Sequence, residues 1–339
     1  MAPPPLLLTM GDAAGIGPEI IVRAHLAGNA AGCVVVGDPG VLRRALGLLA
    51  ATLPVALLDT PAAVDAVPPG CLAVCVPPGL PAALDALPWG QVDARSGAAA
   101  AACIEAGVRW LQQGLARALV TAPLHKQALA AAGIGWPGHT EMLQALATPP
   151  GGAPPPVRMM LANDQLRVVL VTIHVALRRA IELVSTAAVL DTLRIAHAAA
   201  QRWGQPRPRI AVAGLNPHAG EGGLFGDEEQ QQIAPAVAAA RAEGIDAQGP
   251  FAPDTVFMRA RHAPGHPGEF DLVVAMTHDH GLIPVKYLGV ERGVNVTLGL
   301  PFVRTSPDHG TAYDLAGRGR ADASSLVAAI DWARRLAGG

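Results

Sequence analysis

The chain has 339 residues, of which 51% are hydrophobic and 15% charged, enough to bury one large core or two, with length favouring two domains. Net charge is −2 with both signs scattered, which argues against a nucleic-acid footprint or a membrane-surface helix and leaves small-molecule chemistry as the default. No apolar run reaches the ~20 residues of a membrane span, and the amino terminus lacks a signal-peptide layout, so a cytoplasmic protein is expected.

Leu6–Met10 reads as a short strand leading into Gly11-Asp12-Ala13-Ala14-Gly15-Ile16-Gly17-Pro18-Glu19 and a helix, with Pro18 suited to its first turn. Such a loop can offer N–H groups to an anion, but it is neither G-x-G-x-x-G nor a Walker loop, and a tight turn needing glycine explains it equally. Cys33–Val36 and Ala73–Val76 read as strands, Pro39–Leu49 as a helix, and Ser96 as the cap of a helix running to Gln113. Cys33, Cys71, Cys75 and Cys103 read as buried thiols.

Ala118–Thr121 is a further strand, followed by Thr121–Lys126 and then by His139-Thr140-Glu141 at a helix start. An imidazole, a hydroxyl and a helix amino terminus facing one place suit a carboxylate or phosphate, although Thr140 also reads as a plain N-cap. Thr148–Pro156 is a proline and glycine loop. Short apolar strands alternating with helices predict an α/β fold with a mainly parallel sheet.

Arg167–Thr172 is a strand ending near His174, and Ser185 caps the helix Thr186–Trp203. The pattern recurs with the strand Ile210–Gly214, the glycine loop that carries His218 and a helix Asp227–Glu243. It recurs again with the strand Leu272–Met276 and its cluster His278, Asp279, His280. Three parallel strands that each deliver a histidine at the carboxyl end place His174, His218 and His278 on one sheet edge, where ligands bind in open α/β sheets. Three imidazoles with an open position suit a catalytic divalent ion, zinc or a metal that also takes oxygen ligands; the competing reading is three separately satisfied histidines. Lys286, Asn295 and Arg304 follow as anion-binding groups.

The segments Met10–Glu19, Thr121–Lys126, Pro137–Glu141, Leu215–Gly226 (LNPHAGEGGLFG), Asp254-Thr255, His278–Lys286 and Gly293–Ala312 resemble the 4-hydroxythreonine-4-phosphate dehydrogenase (PdxA) family with its phospho-threonate and phospho-erythronate dehydrogenase paralogues. The resemblance runs over essentially the whole chain. It implies two α/β/α domains with a cleft between them, like isocitrate and isopropylmalate dehydrogenases, placed at 1–135 plus 305–339 and at 136–304, the second carrying most of the ligands. It implies a homodimer with the active site at the interface, and metal ligands His174, His218 and His278, one of them donated across it. Substrate contacts fall on His139, Thr140, Lys286, Asn295 and Arg304, with Lys286 the candidate base.

The activity implied is oxidation of 4-phosphohydroxy-L-threonine at C3 by NAD or NADP with a divalent metal (zinc, magnesium or cobalt), followed by loss of CO₂ to give 3-amino-2-oxopropyl phosphate. The alternative is 4-phospho-D-threonate or 4-phospho-D-erythronate, giving dihydroxyacetone phosphate. Three departures bear on the substrate: Ala13 where proline is usual, His280 where glutamine is common, and Val175-Ala176-Leu177-Arg178-Arg179 after His174, which is closer to the paralogues. Different classes are a non-redox metal-dependent hydrolase or lyase acting on a phosphorylated small molecule, and a non-catalytic phosphate-ligand binder.

Overall fold

The structure, a computed structural model, describes residues 3–338. It divides into two compact units, one running up to Pro155 and resuming at Leu300–Ala337, the other Pro156–Gly299. The first unit carries β1 (Leu6–Thr9), β2 (Cys33–Val36), β3 (Val55–Leu58), β4 (Leu72–Cys75) and β5 (Ala118–Thr121). The second carries β6 (Arg158–Ala162), β7 (Arg167–Leu170), β8 (Ile210–Ala213), β9 (Ala247–Phe251), β10 (Leu272–Ala275) and β11 (Val294–Leu298), after which β12 (Val303–Pro307) belongs to the first.

In the first unit the order is β3-β4-β2-β1-β5-β12, parallel throughout. β1, β2, β4 and β5 are buried along their whole length, as expected of strands covered on both faces. In the second unit the order is β11-β6-β7-β10-β8-β9, and β6 runs antiparallel to both β7 and β11. The reason is local. Asn163 closes a tight turn between β6 and β7, its Oδ1 accepting from Gln165 N and Leu166 N at 2.9 Å, and a turn that short cannot make a parallel crossover.

Two local expectations are corrected and a third holds. The helix Ala94–Gln112 is capped by Asp93, whose side chain accepts from Arg95 N. Ser96 is buried inside it, because small residues line the face that meets the helix Lys126–Ala131; a Cβ on Gly97 would collide with the Ala128 carbonyl. The expected helix Asp227–Glu243 is a wide π turn, Glu229–Ile233, followed by Ala234–Ala242. Pro235 has no N–H to carry an α-helical ladder through. Ser185 does cap, accepting from Ala188 N at 3.2 Å.

The segment 136–155 belongs to the first unit rather than beginning the second. Its helix, His139–Leu146, packs on Ala94–Gln112, where Gln112 Nε2 donates to Leu146 O at 3.0 Å. Arg304 also lies in the first unit, since β12 pairs with β5. Cys33, Cys75 and Cys103 are buried and unoxidised, with burial pushing the Cys33 and Cys103 thiols up to about 12 and Cys75 to about 11. No single helix among the described residues is long and apolar enough to cross a membrane.

Candidate active site

In the second unit β10 lies between β7 and β8, all parallel, so the segments bearing His174, His278 and His218 leave one sheet edge side by side. The His174 and His278 rings stand 5.5 Å apart, tilted by 48°. His278 Nδ1 is 2.8 Å from Asp279 Oδ1. A carboxylate on Nδ1 favours the tautomer that carries its proton there, which leaves Nε2 with its lone pair outward, the state a metal ligand needs. His174, His278, Thr172, Thr277 and His280 line a cavity of about 340 Å³.

His218 lies on the neighbouring segment, against Phe225 with ring centroids 6.2 Å apart. It lines a second cleft of about 580 Å³ with Asp254, Phe257, His280 and Tyr287, so His280 borders both spaces. The His174 and His278 rings are thus brought together, while His218 lines the neighbouring cleft. Among the described residues no three His, Cys, Asp or Glu side chains form a metal-holding group.

The His218 loop is tied down by Glu229, which sequence reasoning missed. This carboxylate is 3% exposed and accepts from Leu215 N and Asn216 N, both at 2.7 Å, and from Asn216 Nδ2 at 2.9 Å. Burial alone would push Glu229 up, but the donors on Asn216 and Leu215 outweigh it and hold the carboxyl below its ordinary range. Lys286 is exposed on the last turn of the helix His278–Tyr287, and Asn295 is half-buried on β11 opposite Leu161.

In the first unit Arg304 is buried on β12, its Nε and Nη2 donating to Thr121 Oγ1 at 3.2 and 2.7 Å at the carboxyl end of β5. Burial pushes its guanidinium down to about 9, which leaves it charged at neutral pH. His139 opens its helix after Gly138, so Thr140 is not the N-cap. The Nε2 of His139 is buried with no hydrogen-bond partner. Burial, and then the charge of Arg304, hold His139 well below the usual imidazole range.

Beside these groups lies a network that no local motif announces. Asp12, fully buried, accepts from Ala14 N at 2.8 Å, from Ser96 Oγ at 2.6 Å and from the Tyr313 hydroxyl at 2.8 Å. Tyr313 in turn stacks on His125, with centroids 4.5 Å apart and planes at 14°. The network fixes the first glycine loop, where a Cβ on Gly17 would stand 2.5 Å from the Met10 carbonyl.

Residues 29–333 match the family described as pyridoxal phosphate biosynthetic protein PdxA. The chain is 54% identical to the 4-hydroxythreonine-4-phosphate dehydrogenase of Beijerinckia indica, over 98% of this chain and 95% of that one. It is 45% identical to the D-threonate 4-phosphate dehydrogenase of Salmonella typhimurium, over 97% and 98%. Among solved structures it is similar to the 4-hydroxythreonine-4-phosphate dehydrogenase of Klebsiella pneumoniae, with a TM-score of 0.87 and 42% identity over 99% of both chains.

Proposed function

The chain belongs to the PdxA family, and from that premise we propose that it oxidises 4-phosphohydroxy-L-threonine at C3 with NAD or NADP and a divalent metal, then releases CO₂ to give 3-amino-2-oxopropyl phosphate. The observation that carries the metal is the His174–His278 pair on adjacent strand ends, with Asp279 behind His278. These residues fit a divalent ion such as zinc, magnesium or cobalt: they offer neutral nitrogen donors and an outer carboxylate that fixes one of them. Bound there, the ion would supply a Lewis acid that polarises the C3 hydroxyl and the carboxylate.

The chain's own residues do the rest. Arg304 presents a planar fork to an anionic group of the substrate and Lys286 a point charge, while His139, Thr140 and Asn295 add hydrogen bonds. The C3 hydrogen leaves as hydride to the nicotinamide and the hydroxyl proton passes to the Lys286 amine; the 3-oxo acid then sheds its carboxylate as CO₂, and the electron pair left at C2 takes that proton back from Lys286 to give the ketone. Lys286→Ala is expected to lower kcat by about 10²–10⁴-fold, the range of general base catalysis, with metal content unchanged; near-normal turnover would remove the lysine from this role.

His218 is read as the third ligand in a homodimer whose site takes ligands from both copies. That arrangement accords with there being, among the described residues of one chain, no group of three His, Cys, Asp or Glu side chains that could hold a metal. A second substrate reading, D-threonate 4-phosphate or its erythronate epimer, is favoured by the Val175–Arg179 sequence after His174 and by relatives bearing the D-threonate name. The test is NADH or NADPH formation with 4-phosphohydroxythreonine, 4-phospho-D-threonate and 4-phospho-D-erythronate, each with and without chelator. One substrate is expected to react, with chelator abolishing the rate and a divalent ion restoring it. No reduced nucleotide from any of the three would overturn the dehydrogenase reading.

A further inference from the structure

We infer that Glu229 is a positioning residue for metal binding, holding the His218 loop in a left-handed turn that presents the His218 ring. The inference rests on the reading of His218 as a metal ligand. Its ground is the backbone of the loop. His218 (φ 52°), Ala219 (φ 52°), Gly220 (φ 78°), Glu221 (φ 43°) and Gly222 (φ 68°) follow one another in the left-handed region. Glycine enters that region freely; the β-carbons of His218, Ala219 and Glu221 oppose it. A turn of this kind persists only where its surroundings over-determine it.

Glu229 supplies that determination. Its Oε1 takes the N–H groups of Leu215 and Asn216, the residues that lead into Pro217 and His218, and its Oε2 takes the Asn216 side chain. The fit leaves no slack: a Cβ on Gly214 would stand 3.0 Å from Oε1, and one on Gly220 2.9 Å from Oε2. The carboxylate is therefore wedged between the end of β8 and the middle of the turn. The turn also closes on itself, through Ala219 N to Asn216 O and Phe225 N to Gly220 O, both at 3.1 Å. Glu229 opens the π turn, whose extra residue per turn is a feature common at functional sites.

If the carboxylate were only a staple, its loss would lower stability and leave the metal alone. The two cases separate in a double-mutant cycle on Co²⁺ affinity, read by competition with a chelating dye. The set is wild type, Glu229→Gln, Glu229→Ala, His218→Ala and the double variant His218→Ala/Glu229→Ala, with thermal unfolding and hydrogen exchange of residues 215–225 measured alongside.

Glu229→Ala is expected to weaken Co²⁺ binding about 10–100-fold, the usual cost of losing a group that orients a ligand. Glu229→Gln keeps one acceptor oxygen for the two amides and is expected to lose less; it also carries the test should the alanine variant not fold. The double variant is expected to bind no more weakly than His218→Ala alone, because the effect passes through His218. The amides of Leu215 and Asn216 are expected to exchange faster in both Glu229 variants. Wild-type affinity in folded Glu229 variants, or losses that add in the double variant, would overturn the inference while leaving His218 as a ligand. Unchanged affinity in His218→Ala would overturn the ligand reading itself.

Discussion

His278→Ala is expected to lose bound divalent metal and turnover together, each by at least about a hundredfold. The lower bound comes from the outer carboxylate: removing a group that only orients a ligand costs about 10–100-fold, and His278 is proposed as the ligand that Asp279 orients. Asp279→Ala should therefore fall within that range and His278→Ala beyond it, with His174→Ala matching His278→Ala because the two rings face one space. His280→Ala is the control. His280 is exposed at the rim of both cavities, so its variant should keep metal. Metal content of dialysed protein and initial rates check all four. Stability is not the confounding variable, since His278 is only half-buried and such substitutions usually fall within about 0.5 kcal/mol. A His278→Ala enzyme that kept both metal and activity would remove the centre of the proposal.

The parallel strands were legible because a strand covered on both faces must be a continuous apolar run; Cys33–Val36 and Ala118–Thr121 have the same bounds in sequence and structure. The placing of the three histidines after strands was legible for the same reason, since each follows such a run. What the runs do not encode is which strands adjoin, and the order β7-β10-β8 is what puts His174 beside His278. Ser96 misled because serine caps helices locally, whereas burial against Asp12 is a contact made 84 residues away. Arg304 with Thr121, 183 residues apart, and Tyr313 with Asp12, 301 apart, are equally silent in sequence. The passage between units falls between Pro155 and Pro156, at the end of the proline and glycine loop rather than ahead of it. The helix His139–Leu146 stays with the first unit because it is tied to Gln112.

Arg304→Ala is expected to lower kcat/KM by about 10–100-fold, chiefly through KM. A hydrogen bond to a charged group contributes about 1.5–3 kcal/mol, and every 1.4 kcal/mol is tenfold. Arg304→Lys should recover little, since an ammonium cannot reproduce a planar fork. Thr121→Val separates substrate contact from scaffolding: it removes the acceptor that holds Nε and Nη2 but leaves the guanidinium charge, so its loss should be several-fold at most.

A second readout follows from His139, which burial and then the Arg304 charge hold well below the usual imidazole range. In the unfolded chain His139 takes up a proton near pH 6.5, while the folded chain resists it, so stability is full above that value and falls as pH drops below it. Arg304→Ala removes one of the two causes. The loss of stability between pH 7.5 and 5.5, measured by urea unfolding, should therefore be smaller in the variant than in the wild type. If the acid slope became shallower while kcat/KM stayed unchanged, Arg304 would be a neighbour of His139 anchored on Thr121, and the substrate's anionic group would have to be held by Lys286.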